Sequence, residues 1–208
     1  NKLLDAANKC NADYVVMTDY PNEDYHKTIE KAKETADTLI KHNFKPFFCP
    51  QSIEGDIEGL IKSFFWAKND PRIEIIGFSI LAIPNAYGVL KDPLQRFLSR
   101  WRFICELNKR GFFQDNTKKL HLLGMLDGPN EIGLLKEFLS EFSSWDSSAA
   151  VWAGINGFVF DDSPTGMITG KFEREVYFDH DTADLTDIAF ATKNLKYIDG
   201  MIDEVLRR

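Results

Sequence analysis

Short apolar runs rich in β-branched and aromatic residues alternate along the chain with longer stretches whose apolar positions recur at helical spacing. That alternation predicts a parallel α/β arrangement. The first run, Tyr14-Val15-Val16-Met17, ends at Asp19 and is closed by Pro21, and a helix to about His42 carries Ile29, Ala32, Ala36, Leu39 and Ile40 on one face. The second, Pro46-Phe47-Phe48-Cys49, ends at Gln51 and precedes a helix with Ile57, Leu60, Ile61, Phe64 and Phe65 inward. Ile75 to Ile80 is the third strand. A longer connection through Pro84 leads from it to a helix with Leu94, Phe97, Leu98, Trp101 and Ile104 inward. His121 to Met125 is the fourth, followed by a helix placing Ile132, Leu135, Leu139 and Phe142 together, and a short fifth run lies at Ser144 to Ser147. Beyond it, Phe158-Val159-Phe160, a turn at 161–166 and the alternating segment 172–178 predict a β-hairpin appendage over 157–178. A terminal helix from about Asp187, capped by Thr186 or Asp184, presents Ile188, Ala191, Leu195, Ile198, Ile202 and Val205.

Five β/α units in series fit either an open doubly wound sheet or part of a (β/α)8 TIM-type barrel. A Gly-rich phosphate loop after the first strand would favour the former and is absent. A set of residues, most of them polar, instead stands at the strand C-termini, Asp19, Gln51, Ser79, Gly124 and Asp146, the ends that converge on the catalytic face of a barrel. A complete barrel typically needs about 250 residues. The 208 residues are therefore expected to form a single domain of about five C-terminal units, N-terminally incomplete, with the hairpin and terminal helix appended. The chain opens on Asn1 directly into helical pattern, as though something upstream had been removed.

Composition narrows the class. With 44% hydrophobic and 27% charged residues the chain suits a well-cored domain rather than a disordered or disulfide-built one. The three cysteines, Cys10, Cys49 and Cys105, form no CxxC pair, which predicts reduced thiols and no thiolate zinc site. No apolar run approaches the roughly 18 residues of a membrane span, and no signal-peptide pattern opens the chain. A soluble, cytoplasmic protein with no membrane partner is expected. The net charge of −7 argues against non-specific adhesion to nucleic acid. Within it, the segment from Lys91 to Lys119 carries eight basic residues against three acidic ones, a local +5. Arg96, Arg100, Arg102, Lys109 and Arg110, with Trp101 and Phe103 interleaved, fit a phosphate-backbone footprint or an ordinary solvated helix face.

Asp19 and Asp146 each follow an apolar strand, where a carboxylate can serve as nucleophile or base or accept two N–H donors from a heterocycle. On spacing alone the plainer roles are favoured, Asp19 capping the following helix, where Pro21 and Asn22 also fit, and Asp146 anchoring a turn. Gln51 offers an acceptor and donors, either to a base edge or to a helix cap. His121 opens a strand and suits a structural role. Asp179-His180-Asp181 with Asp184 has metal-type donors but no spacing that fixes a coordination geometry, so no metal is expected.

Taken in order, these strand ends resemble the C-terminal portion of the tRNA-guanine transglycosylase superfamily, which includes the queuine and archaeosine enzymes. DYVVMTDYP, residues 13–21, is similar to the family strand ending in a base-recognising Asp, and Gln51 falls where a strand-end VQG-like motif has its Gln. IIGFSI, residues 75–80, sits where the family's Gly-Gly loop offers N–H groups to the substrate carbonyl. HLLGMLDGP, residues 121–129, resembles the family's LMGVG-x-P turn, and SWDSSAAVWAGING, residues 144–157, matches the FDCVLPTR-x-x-R-NG segment at its Asp and closing Asn156-Gly157. The resemblance implies a base-exchange glycosyltransferase working without a cofactor on DNA or tRNA and a 7-deazaguanine base. Asp146 would be the nucleophile, Asp19 and Gln51 would bind the purine edge, and Gly77, Phe78, Leu123 and Gly124 would line its slot. The family's zinc motif is absent, its PTR is Ala150-Val151-Trp152 here, and its upstream Asp has no counterpart. Loss of the zinc motif with a changed nucleic-acid surface resembles the phage and bacterial branch that modifies DNA, and the missing Asp and Arg equally suit a non-catalytic nucleic-acid-binding subunit; a homo- or heterodimer is among the expected assemblies, and an unrelated barrel glycoside hydrolase is a further alternative.

Overall fold

The computed structural model describes residues 2–125, 128–160 and 185–207. Its helices are α1 (Lys2–Lys9), α2 (Tyr25–Lys41), α3 (Ile57–Asn69), α4 (Ala82–Ala86), α5 (Pro93–Lys109), α6 (Pro129–Leu135), α7 (Ala149–Ile155) and α8 (Leu185–Leu206), with a 3₁₀ turn at Leu139–Glu141. Five strands, β1 (Tyr14–Val16), β2 (Lys45–Phe48), β3 (Ile75–Ser79), β4 (Lys119–Leu123) and β5 (Ser144–Asp146), lie side by side in chain order. The pairings from β1 to β4 are parallel. A doubly wound sheet reverses direction at a switch point, whereas this order never does. With right-handed crossovers, a sheet that always advances the same way carries its connecting helices on one face. The fold is a mixed α/β arrangement compatible with part of a (β/α)8 barrel.

The described residues group into two compact units, residues 1–123 with 141–145, and residues 124–140 with 146–208. In the first, alternation along the strands separates two faces. Val15, Phe48, Ile76, Phe78, Leu120 and Leu122 are buried on the helix side. There Phe64 of α3 packs edge-to-face on Phe78 at 4.6 Å and on Phe103 of α5 at 4.9 Å, and Phe112 and Phe142 close the aromatic cluster around Phe78. The opposite face holds a smaller cluster, Phe47, Cys49 and Ile75 with Tyr14 and Leu123 against it. His121 meets the edge of Phe47 there and bonds Ser144 Oγ at 2.7 Å. Gly77 lets these side chains approach, because a Cβ at this position would lie 2.5 Å from Leu123 Cδ1 and 2.7 Å from Phe47 Cε2.

The helices begin where the sequence supplies caps. Asp24, Asp56 and Asp92 accept from the backbone N–H of His26, Gly59 and Gln95, and Pro93 opens α5. The expected inward face of α5 is corrected. Leu94 and Trp101 are exposed, and the buried stripe is Arg100, Phe103, Ile104 and Leu107. Ile40 on α2 is likewise exposed.

In the second unit α7, a helix that the periodicity does not predict, packs on α8 so closely that a Cβ on Gly154 would lie 2.3 Å from the Ala191 nitrogen. Asn194 is fully buried on α8. Its Oδ1 accepts from Phe160 N at 2.7 Å, and its Nδ2 donates to Ala150 O and Phe158 O. The expected stripe on α8 is corrected accordingly, since Asn194 and Ile198 are buried while Ile188 and Leu195 are exposed. Thr186 lies inside this helix rather than at its cap. The predicted hairpin turn and its return strand, the 179–181 cluster and Asp184 lie outside the described residues.

Candidate functional site

In the first unit the chain leaves β1 with Met17 N donating to Phe47 O at 2.9 Å, which keeps the two strand ends together beyond the formal strand. Asp19 and Gln51 follow on these neighbouring ends and meet: Gln51 Nε2 donates to Asp19 Oδ2. Gln51 is buried and Asp19 half-buried. A carboxylate only accepts, so the contact fixes which way the Gln51 amide faces. Asp19 Oδ1, Gln51 Oε1 and one Gln51 N–H make no further hydrogen bond among the described residues.

Two residues beside this pair escape sequence reasoning. Asn22, at a φ of 58°, accepts on Oδ1 from Glu54 N at 2.8 Å and from Asn85 Nδ2 at 3.3 Å. Asn85, buried in α4, also donates from Nδ2 to Ser52 O at 3.1 Å, while its backbone carbonyl accepts from Gly55 N at 3.1 Å. The two amides thus tie the loops after β1 and β2 to the helix after β3. The available signal was Asn22 itself, since a Pro-Asn step in a turn suits the left-handed conformation that Asn tolerates. Ser79, the polar end of β3, accepts on Oγ from Leu81 N and Ala82 N in the turn that leads into α4.

The expected slot residues divide between side chain and backbone. Phe78 is fully buried within the aromatic core on the helix side, so its ring lines no slot and only its backbone is available at the end of β3. Gly77 and Leu123 stand on the other face, in contact range of Phe47 and of each other. In the second unit Gly124 adopts a φ of 71°, and its N–H donates to Asp146 Oδ1 at 3.2 Å. Asp146 is exposed at the end of β5, and Ser147 Oγ accepts from Ala149 N at the start of α7.

The basic segment does not form one outward face. Arg100 is fully buried, which corrects its expected place in a phosphate footprint. Arg110 donates two prongs to Glu58, at 2.6 and 2.8 Å, and Nε to Glu106 at 2.7 Å, so its charge is balanced locally. Its guanidinium holds the Glu58 carboxyl below the usual carboxylate range. Arg96, Arg102 and Lys109 are exposed. Arg102 bonds Gln95 Oε1 and lies over the Tyr87 ring at 4.6 Å. Tyr87, Trp101, Arg102 and Lys109 line part of a groove of about 360 Å³ on the helix side.

Among the described residues no group of three or more His, Cys, Asp or Glu side chains is placed to hold a metal ion. No helix among them is long and apolar enough to cross a membrane. Compared with family models, with curated proteins and with solved structures, the chain matches none.

Proposed function

We propose that the protein exchanges guanine in a polynucleotide, DNA or tRNA, for a 7-deazaguanine base through a covalent glycosyl intermediate on Asp146. The observation that carries this reading is the contact between Asp19 and Gln51 on adjoining strand ends. Asp19 Oδ1 and Gln51 Oε1 are two acceptors suited to adjacent N–H donors, such as the ring N–H and exocyclic amine of guanine. Adenine presents a ring acceptor at the corresponding position and would face a carboxylate without a proton between them.

The carboxylate of Asp146 attacks C1′ as the bond from C1′ to the guanine nitrogen breaks, through an oxocarbenium-like state. The bonding pair leaves with guanine, which takes up a proton. An incoming 7-deazaguanine gives up its ring proton and attacks C1′ from the face guanine left, and the C1′–oxygen bond breaks to restore the carboxylate. Two displacements retain configuration, as in a retaining glycosidase. Neither step requires a redox partner.

Incubation of the intact protein with polynucleotide and labelled 7-deazaguanine tests the reading. Incorporation is expected, with loss to background in Asp146→Asn. Asp19→Asn should lower kcat/KM by roughly a hundredfold, the scale of charge-assisted hydrogen bonds lost in a site. Incorporation that survives in Asp146→Asn removes that residue from the nucleophile role. Salt-dependent polynucleotide binding with no turnover by the wild type would identify a non-catalytic subunit instead.

A further inference from the structure

Arg100 is fully buried, whereas Arg96, Arg102 and Lys109 on the same helix are exposed. Removing a guanidinium from water is costly unless its donors find acceptors. Here Nη1 donates to Phe78 O at 2.8 Å and to Leu123 O at 3.2 Å, and the guanidinium lies over the Trp145 ring at 5.7 Å. Phe78 stands at the C-terminal end of β3, Leu123 at that of β4, and Trp145 on β5. One side chain from α5 therefore joins three consecutive strands. Leu123 O also accepts from Ile80 N at 3.2 Å, so the same carbonyl receives the cation and the first N–H beyond β3.

Stability alone is a poor explanation for such a group, because apolar residues of similar volume commonly replace buried ions at no loss. What the guanidinium adds is direction. Two carbonyls held by one nitrogen fix the planes of the peptides that follow Phe78 and Leu123, and a trans peptide then fixes the N–H on the opposite side.

We propose that Arg100 is a positioning residue that sets the ends of β3 and β4 for base binding, without itself touching the substrate. This rests on the reading that Gly77, Phe78 and Leu123 line the base slot. Arg100→Met, which keeps volume and length but removes the donors, should leave the circular-dichroism spectrum and the slow exchange of the Met17 amide unchanged. The Ile80 amide should exchange about tenfold faster, and KM for the incoming base should rise about tenfold while kcat moves little. Arg100→Lys, a cation without the planar fork, should fall between the two proteins. Added guanidinium ion should restore part of the base affinity of Arg100→Ala.

Unchanged base KM in a folded Arg100→Met protein overturns the proposal, and so does Ile80 exchange that does not move. If Arg100→Met fails to fold, Arg100→Lys and the rescue of Arg100→Ala decide: no rescue, with activity lost only as the fold is lost, leaves Arg100 a core residue and nothing more. If the wild type exchanges no base, the functional reading fails separately, and with it the role in base binding, while Ile80 exchange still shows whether the clamp exists.

Discussion

The two faces of the sheet are built on different principles. On the helix side, large aromatic rings interlock and water is excluded: Phe64, Phe78, Phe103 and Phe112 are each no more than 1% exposed. On the other, the apolar cluster is thin, depends on a missing side chain at Gly77, and is edged by polar groups, with Lys119 Nζ donating to Tyr14 Oη and His121 bonded to Ser144. The contrast separates the part that holds the unit together from the part left open to chemistry, and it places the candidate polar pair, Asp19 and Gln51, at the strand ends rather than in either core.

Mutations that delete volume on one face and add or trim it on the other test this division. Phe64→Ala, which opens a cavity beneath three rings, should cost about 3–5 kcal/mol in denaturant unfolding. A loss below about 1 kcal/mol would mean that the aromatic cluster is not the main core. Gly77→Ala is a gain of one methyl group on the thin face, and the displacement it forces on Phe47 and Leu123 should cost about 1–3 kcal/mol. A neutral result would show that this face has room to spare. Ser144→Ala removes an exposed hydroxyl from the polar edge and should shift stability by less than about 0.5 kcal/mol; a larger loss would make the His121 contact part of the core.

The first three strands were legible because their runs are apolar on both faces, and the candidate pair was legible because Asp19 and Gln51 follow such runs where a parallel strand ends. Their direct contact was not, since it joins residues that only the register of β1 on β2 brings together. The phase of α5 was missed for a related reason. Periodicity treats Arg as solvent-facing, so the predicted stripe runs through Leu94 and Trp101. Backbone carbonyls on β3 and β4 are among the acceptors of the buried Arg100, and no spacing along one helix reveals them. Asn194 repeats the case in the second unit, where a polar residue occupies the center of the buried stripe because it satisfies the backbone of a neighbouring segment.

The uninterrupted strand order also bears on how the first unit is made. Tyr14 pairs with Lys45, Phe47 with Ile75 and Ile75 with Lys119, so each strand needs only its immediate predecessor as a template. No strand must wait for a later one to be inserted beside it. A sheet of this kind can be laid down as the polypeptide leaves the ribosome, and its growing edge at any moment is the one that the next segment will cover.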